Sequence, residues 1–490
     1  CAPPCSQCVV VCSLESSLAH RPARMKGFVV FVVALIAVGV PVCMSSTTLP
    51  SLYDRVEARM AGLADHITLA DLQLFMQDVS LHWPSFALAV AATLVALYVY
   101  SWLTSPLDHH LRLEEVGYIP GRRQEAKDVC DETIRRRRRG DLPPPFPNGW
   151  YRLADSAELQ PGDVKPVNAL GQHFAVFRGE SGEVHVLDAY CPHLGANLAI
   201  GGKVCGERIA CPFHGWEFDG NSGKCTHIPY SAGAVPDFAK TRQWHSMECN
   251  GFILVWFDAE GREPLWRPKQ NPGIQNGSWK CRGKTVHYIN AHIQEVPENA
   301  ADVAHLTWVH SPFITSGTDL RYTRSKTGSP IHSIIQHMWS ANWKPGEGEN
   351  SHIGILDLTH HVQLFGRIIS SLDFRVQAHQ VGPALVFLNW ECSLGRGAFI
   401  QSLTPIAPLV QEMTHQVWTE WQIPTFIGKL MLRSEAMQVE RDIMIWNNKA
   451  FNAKPLLVKE DQLIGKFRRW YAQFYSASSR DVAASHSLDW

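Results

Sequence analysis

The amino-acid sequence predicts three parts in series: an N-terminal membrane anchor, an all-β domain and an α+β domain. Three observations lead to this prediction. An uncharged apolar stretch ends near residue 103, and short strand-like runs with glycine-rich turns fill residues 148–260. Residues 261–490 then combine strand-like apolar runs with helix-like segments that carry histidines and carboxylates.

The composition limits the classes of protein to which the chain can belong. At 490 residues it is too long for one hydrophobic core, so two folded domains plus an extension are expected. The formal net charge of −1 predicts no nucleic-acid partner. Thirteen cysteines are too dilute for a disulfide scaffold, and their odd number favours a reducing compartment.

Residues 1–24 are expected to be a leader. They precede Met25-Lys26, which has the form of a true start, so they are interpreted as extra translated sequence, not native to the protein, or as a disordered segment. The alternative is a zinc site, because four cysteines cluster here: Cys1, Cys5, Cys8 and Cys12.

Residues 25–44 contain the first strongly apolar stretch. Gly27 to Val42 is uncharged and follows Arg21, Arg24 and Lys26. At sixteen residues it is marginal for a spanning helix and equally fits the hydrophobic region of a signal peptide, so both interpretations stay open.

Residues 85–103 are predicted to be the transmembrane anchor. Phe86 to Leu103 runs for eighteen residues without a charge, and aromatic residues such as Trp83 and Trp102 lie towards its ends. The alternative is a buried core helix. Basic residues follow, including the run Arg135 to Arg139, and they favour the cytosolic side. We therefore expect a membrane protein, in the endoplasmic reticulum, whose folded domains face the cytosol.

Residues 104–147 are expected to be a basic, proline-rich linker, and the all-β domain follows at 148–260. The segment Asp141 to Trp150 cannot continue a helix. His173 to Phe177 and Val184 to Leu187 are strand-like runs around a glycine turn, and Gly251 to Phe257 has the pattern of a buried strand.

Two couplets of metal-binding residues lie within this β domain. Cys191-Pro192-His193 is followed, after seventeen residues, by Cys211-Pro212-Phe213-His214. Two thiolates and two imidazoles suit either zinc or a [2Fe–2S] cluster. The spacing favours the cluster, because each couplet contributes one cysteine and one histidine.

A second candidate metal site lies at Glu298 to His310. If this segment is one helix, Glu298, Asp302 and His305 share a face and His310 follows within about one and a half turns. Two histidines with one carboxylate hold Fe(II) and leave positions open for O2 and substrate.

The pattern C-x-H-x17-C-x2-H resembles the Rieske family, and the spacing of Asp302, His305 and His310 is similar to its non-haem iron oxygenases. Respiratory Rieske proteins carry two further cysteines where this chain has Ala196 and Phe213, so the oxygenase branch is favoured. This resemblance implies a helix-grip catalytic domain with an antiparallel sheet at 261–490.

The resemblance also implies a role for each site residue. Cys191, His193, Cys211 and His214 would bind the [2Fe–2S] cluster, and His305, His310 and a distant carboxylate would bind mononuclear Fe(II). We place that carboxylate at Asp442, with Asp373, Glu435 and Glu440 as competitors. Asp302 would link an iron-bound histidine to a cluster histidine across subunits of a homotrimer.

Segments around both sites are similar to the Neverland group of animal Rieske oxygenases: PNGW, LDAYCPHLGAN, CPFHGWEFDG and GKCTHIPYS. This resemblance implies cholesterol 7-desaturation with O2, in steroid hormone biosynthesis. The chain has no nucleotide-binding fingerprint, so NAD(P)H should act through a separate flavin-containing reductase. The alternatives are a steroid hydroxylase or other Rieske monooxygenase, and a membrane-bound electron carrier that uses only the cluster.

Overall fold

The computed structural model describes residues 88, 90–137, 142–312, 316–323, 334–370 and 373–480. The expected leader and the segment 25–44 lie outside these residues. Residues 90–104 are helical, and large apolar side chains on this helix, such as Leu94 and Tyr98, are exposed. Among the described residues, no helix combines the length and the apolar character needed to cross a membrane.

The chain divides into two units, Cys1–Tyr100 and Ser101–Trp490, and all predicted site residues lie in the second. The strands of the second unit are β1 (Leu107–His110), β2 (Gly149–Asp155), β3 (Val164–Ala169), β4 (Gln172–Arg178), β5 (Val184–Asp188), β6 (Lys203–Cys205), β7 (Arg208–Ala210), β8 (Glu217–Asp219), β9 (Cys225–His227), β10 (Ser246–Cys249), β11 (Phe252–Phe257), β12 (Trp279–Ile289), β13 (Ile335–Pro345), β14 (Ile353–Leu364), β15 (Arg367–Ile368), β16 (Phe374–Val381), β17 (Leu385–Cys392), β18 (Gly395–Ala407) and β19 (Val410–Glu420). The α-helices are α1 (Ala126–Arg136), α2 (Pro272–Gln275), α3 (Val303–Val309), α4 (Leu320–Thr323), α5 (Thr425–Trp446) and α6 (Gln462–Tyr471).

The first domain is built from three small antiparallel sheets, with strand orders β10-β11-β2, β3-β4-β5 and β6-β7-β8-β9. The strands predicted at residues 173–177, 184–187 and 251–257 are all present. β4 and β5 form the expected hairpin, and Gly182 in its turn has φ 95°, which favours glycine. The two metal-binding couplets lie in the loops β5–β6 and β7–β8.

The second domain is a nine-stranded sheet covered by the long helix α5. Its order is β1-β12-β19-β18-β17-β16-β14-β13, with β15 paired to β14. α5 packs on β12 and β19 through an apolar stripe at helical spacing, formed by Leu432, Ala436, Val439 and Ile443, all buried. Burial of each of the larger side chains stabilises this packing by about 2 kcal/mol.

The segment expected to be a linker is instead partly ordered structure of the second domain. β1 joins the sheet as a parallel edge strand beside β12, and α1 follows it. Gly283 permits this pairing, since a Cβ there would lie 2.5 Å from the carbonyl oxygen of Leu107. A short parallel edge strand carries no periodic signal, so the sequence did not reveal it.

A buried arginine joins the two domains. Arg152 on β2 donates from Nε to Asp155 Oδ1 at 2.8 Å and from Nη1 to Glu412 Oε1 on β19, also at 2.8 Å. The Arg152 carbonyl accepts a hydrogen bond from Thr404 Oγ1 at 2.9 Å. Arg152 is 5% exposed, so removing it would take a buried cation from two carboxylates and leave Asp155 with Lys284 and Glu412 with the Tyr288 hydroxyl.

We expect Arg152→Ala to lower the free energy of unfolding by about 3 kcal/mol, because Asp155 and Glu412 each lose a charge-assisted hydrogen bond from a buried cation. Urea denaturation measures the change. The control is Arg396→Ala, which breaks an exposed pair with Glu420 and should cost less than about 1 kcal/mol. Equal losses in the two variants would contradict the proposed role of Arg152 at the interface.

His292 is buried where the proline-rich segment meets the second domain. Its Nε2 lies 3.1 Å from the Pro143 carbonyl oxygen and its Nδ1 accepts from Gln294 N at 3.2 Å, an arrangement that suits the neutral ring with hydrogen on Nε2. Burial lowers the pKa of His292 to about 4.

The lowered pKa of His292 predicts acid sensitivity. The unfolded chain gains a proton below pH of about 6.5 whereas folded His292 does not, so stability falls as pH drops from about 6.5 to about 4. His292→Asn should reduce this loss by about 1.4 kcal/mol per pH unit. Urea denaturation at pH 7, 6 and 5 tests this, with the exposed His227→Asn as control; an unchanged slope in His292→Asn would contradict it.

Candidate metal centres

The two cluster loops have the same local construction. The amide of Gly195 donates to the carbonyl of Cys191 at 2.9 Å, and the amide of Gly215 donates to the carbonyl of Cys211 at 3.0 Å. Both glycines have positive φ, 73° and 72°, which residues with side chains rarely adopt. Each couplet is therefore held on a tight turn of the same shape.

These turns bring the four predicted cluster ligands together. Cys191 and Cys211 are buried free thiols that interact with one another, and the His193 and His214 rings lie 4.7 Å apart. Burial, with a smaller contribution from the Cys211 thiol, raises the pKa of Cys191 to about 11. Nδ1 of His193 is buried without a partner in the described part of the chain. Two thiols and two imidazoles on facing turns are the donor set of a [2Fe–2S] cluster with mixed ligands.

Aromatic residues fix the cluster histidines. The Trp216 ring stacks on His193 with centroids 4.7 Å apart and planes 5° from parallel. Trp216 Nε1 donates to the Tyr230 hydroxyl at 2.8 Å, and the Tyr230 ring lies 6.4 Å from His214. Aromatic rings thus flank both imidazoles.

The segment 298–310 is not one helix, contrary to the simplest reading of its spacing. A 3₁₀ turn covers Pro297–Ala300, and α3 begins after Asp302, whose carboxylate caps it by accepting from His305 N at 3.3 Å. His310 ends α3 as its C-terminal cap. Glu298 pairs with Arg468 and is not part of the group that the two histidines form.

Asp442 completes the site. Ligand atoms of His305, His310 and Asp442 all lie within 4.8 Å of one another. His310 Nε2 is 3.2 Å from Asp442 Oδ2, and the two imidazole rings are 5.1 Å apart at 81°. Burial lowers the pKa of His310, but the Asp442 carboxylate outweighs it and the pKa is raised overall. Asp442 Oδ1 is buried and unpaired within the described residues, as a metal ligand would be in the absence of its ion.

The competing carboxylates are occupied elsewhere or lie apart from the histidine pair. Glu440 pairs with Arg433 at 2.8 Å, and Asp373 pairs with His361 at 2.7 Å. Glu435 borders the same cavity as Asp442 but is outside the group of three. The geometry therefore favours Asp442 as the third ligand.

Neighbouring groups orient both histidines with Nε2 towards the site. His305 Nδ1 contacts the Asp302 carbonyl oxygen, and His310 Nδ1 lies 2.9 Å from Gln438 Oε1. Since a carbonyl accepts, each Nδ1 carries the hydrogen and each Nε2 lone pair is available to a metal. The bridging role of the Asp302 side chain stays a prediction, because within one chain that carboxylate caps α3.

Comparison with known proteins identifies the family. Residues 149–240 match the Rieske [2Fe-2S] domain, and residues 255–475 match the 3-ketosteroid 9alpha-hydroxylase C-terminal domain. Cholesterol 7-desaturase nvd of Xenopus laevis is 47% identical over 82% of this chain and 88% of its own, and that of Hemicentrotus pulcherrimus is 41% identical over 93% and 97%. The chain belongs to the Neverland group of Rieske oxygenases.

A dicamba monooxygenase crystal structure shares the fold, with TM-score 0.50 and 16% identity over 70% of this chain and 98% of that one.

This Rieske oxygenase is an oxidoreductase with a [2Fe–2S] cluster and mononuclear non-haem iron. It receives electrons from NAD(P)H through a reductase. The donor sets fit both groups: two thiols with two imidazoles for the cluster, and two imidazoles with one carboxylate for the single iron. His305, His310 and Asp442 would hold the single iron, which would supply O2-activating chemistry.

Two residues of α5 that the sequence did not single out support the iron site. Gln438 lies one turn before Asp442, and its Oε1 also accepts from Arg441 Nη1 at 3.1 Å. Arg441 is fully buried and donates to the carbonyls of Pro312 and Gly317, which tie the chain after α3 to α5. The signal that could have found Gln438 is its i−4 spacing from Asp442.

We expect Gln438→Leu to weaken retention of mononuclear iron by about 10- to 100-fold, because His310 loses the acceptor that fixes its ring. Iron content after graded exposure to a chelator measures this, and the visible spectrum of the cluster reports that the first domain is intact. Ser434→Ala is the control and should retain iron normally, because the Ser434 hydroxyl donates to the Leu430 carbonyl of its own helix. Normal retention in Gln438→Leu would contradict the assignment.

Proposed function

We propose that this oxygenase is a cholesterol 7-desaturase. It would remove one hydrogen each from C7 and C8 of cholesterol and reduce O2 to water, with two electrons from NAD(P)H completing the balance. The observation that carries the proposal is the His305, His310 and Asp442 group at the edge of an apolar cavity, in a chain whose relatives bear that name. The product, 7-dehydrocholesterol, would serve steroid hormone biosynthesis.

The lining of the cavity beside Asp442 supports a hydrocarbon substrate. The cavity lies between the sheet and α5, and its volume of about 160 Å³ encloses only part of a sterol, since pockets for such ligands measure roughly 300 Å³ or more. Apolar side chains dominate its lining: Val296, Leu356, Val386, Leu388, Met413, Val439 and Trp446. Such walls suit a rigid hydrocarbon ring system, and few polar groups remain to orient it.

Electron supply would come from a separate flavin-containing reductase, and the active assembly would be a homotrimer. Large apolar side chains are exposed around the cluster, including Leu194 and Phe213, and Trp308 is 70% exposed on α3 beside His305. Exposed apolar surface next to both metal sites supports contact between neighbouring subunits. In that assembly the Asp302 carboxylate would link His305 to His214 of the neighbouring subunit.

Residues 85–103 would anchor the enzyme in the endoplasmic reticulum membrane, with the folded domains on the cytosolic side. The uncharged run Phe86 to Leu103 and the basic residues after it support this. A bilayer location suits a substrate that dissolves in lipid and a reductase that draws on cytosolic NAD(P)H.

A steroid hydroxylase is the second candidate. The match of residues 255–475 to the 3-ketosteroid 9alpha-hydroxylase C-terminal domain favours it. Hydroxylation would insert oxygen at one carbon, whereas desaturation requires a second hydrogen to leave instead, so the position of the substrate decides between them. A pure electron carrier would not need the His305, His310 and Asp442 group.

We expect cells without endogenous activity to form 7-dehydrocholesterol when they receive the full chain and cholesterol. Asp442→Asn should lower the amount of product by more than about 100-fold. Loss of an iron ligand should weaken activity more than loss of a residue that only hydrogen-bonds to a ligand, such as Gln438. Mass spectrometry of extracted sterols measures this. Asp373→Asn, at a competing carboxylate, is the control and should retain activity.

The outcomes separate the candidates. A hydroxylated sterol without 7-dehydrocholesterol would replace the desaturase proposal with the hydroxylase. Full turnover by His305→Ala with an intact cluster spectrum would remove the single iron from the reaction.

A further inference from the structure

The cavity beside the iron site is lined by three buried polar atoms that have no hydrogen-bond partner in the described part of the chain. They are Asp442 Oδ1, Gln380 Oε1 and Trp343 Nε1. A bound iron would account for Asp442 Oδ1. The other two residues are only 3% and 2% exposed, and an unpaired polar atom at such depth is costly. The other side chains of the lining with hydrogen-bonding N or O groups, Asn299, Gln401, Glu435 and Trp446, have no buried unpaired atom in the described part of the chain.

Gln380 and Trp343 meet at one place on the sheet, around Gly354. Gln380 on β16 is the direct cross-strand partner of Gly354 on β14. A Cβ on Gly354 would lie 3.0 Å from Trp343 Nε1, so the indole nitrogen stands over this glycine. The unpaired acceptor, on Gln380, and the unpaired donor, Trp343 Nε1, therefore flank Gly354, which has no side chain.

Packing fixes which atom each side chain offers. Gln380 Nε2 donates to the Gly382 carbonyl at 3.2 Å, and a flipped amide would place two oxygens together, so Oε1 is the free end. The Trp343 indole packs against Phe467 and Trp470, with ring centroids 5.5 and 5.7 Å away. An indole N–H only donates and an amide oxygen only accepts.

We propose that Trp343 and Gln380 bind the 3β-hydroxyl of the sterol, Trp343 Nε1 donating to its oxygen and Gln380 Oε1 accepting its hydrogen. This inference rests on the proposed sterol substrate and adds the group that orients it. A hydroxyl satisfies both atoms at once, whereas a 3-ketone can only accept and would leave Gln380 Oε1 unpaired. The pair thus selects 3-hydroxysterols over 3-ketosteroids and positions the rings against the wall that carries Asp442.

The test is competition for sterol binding, independent of turnover. The full chain in detergent, with its cluster, is loaded with radiolabelled cholesterol and challenged with cholesterol, with cholest-5-ene, which lacks the hydroxyl, and with cholest-5-en-3-one. We expect both analogues to compete at least about 10-fold more weakly than cholesterol. Gln380→Met and Trp343→Phe should each reduce the preference for cholesterol over cholest-5-ene by about 10-fold.

Gln401→Met is the matched control. Gln401 borders the same cavity and lies two strands from Gln380, because Val386 pairs with Gln380 on one side and with Gln401 on the other. Gln401 has no unpaired buried atom. Its substitution should leave the preference unchanged. An equal loss in Gln401→Met would overturn the assignment to Gln380.

Wild-type protein alone already decides the main point. Equal competition by cholesterol and cholest-5-ene, or failure of cholesterol to bind, would overturn the proposal, whatever the variants do. Formation of 7-dehydrocholesterol together with equal competition would overturn the hydroxyl site and leave the desaturase standing. A clear preference for cholesterol without 7-dehydrocholesterol would support the hydroxyl site and reject the desaturase.

Discussion

The packing of α5 on β12 and β19 is the constraint on which the iron site depends. The buried apolar stripe of this helix favours one rotation about its own axis, because turning the stripe away from the sheet would lose the burial of Leu432 and Ile443. In this rotation, Gln438 and Asp442 point to the same imidazole one turn apart. A hydrophobic interaction thus sets the geometry of a polar site.

Both metal sites use main-chain carbonyls and caps to hold their ligands. Cys191 and Cys211 sit on turns that a glycine amide closes, and the Asp302 carbonyl contacts Nδ1 of His305. Main-chain groups lose less side-chain freedom on folding than long side chains do, so these contacts hold the ligands at little entropic cost. The buried core beneath the cluster turns, which includes Leu198 and Phe218, holds them in place.

The cavity is bounded by α5 and by the sheet, and each provides different polar side chains. α5 brings Asp442, and the sheet brings Gln380 and Trp343 on strands far from α5 in the sheet order. The buried unpaired atoms lie on separate walls, and most of the remaining lining is apolar. A ligand would therefore be oriented by few polar contacts and would otherwise pack against apolar side chains. Arg152 and the shared core, in which Tyr151 packs with Ile289, join this domain to the cluster domain.

The sequence by itself determined the cluster quartet, the His305 and His310 pair and the strands of the first domain, because these signals are local in the chain. It left four carboxylates as candidates for the third ligand. It also suggested one helix over residues 298–310, where Asp302 instead caps a separate helix, and it predicted a linker at residues 107–110, which form a strand. Only the tertiary structure brought Asp442 to residues more than a hundred positions earlier, and only it placed Gln380 beside Trp343. Such long-range contacts follow from sheet register and helix packing, which depend on the summed burial of many side chains and not on any short motif.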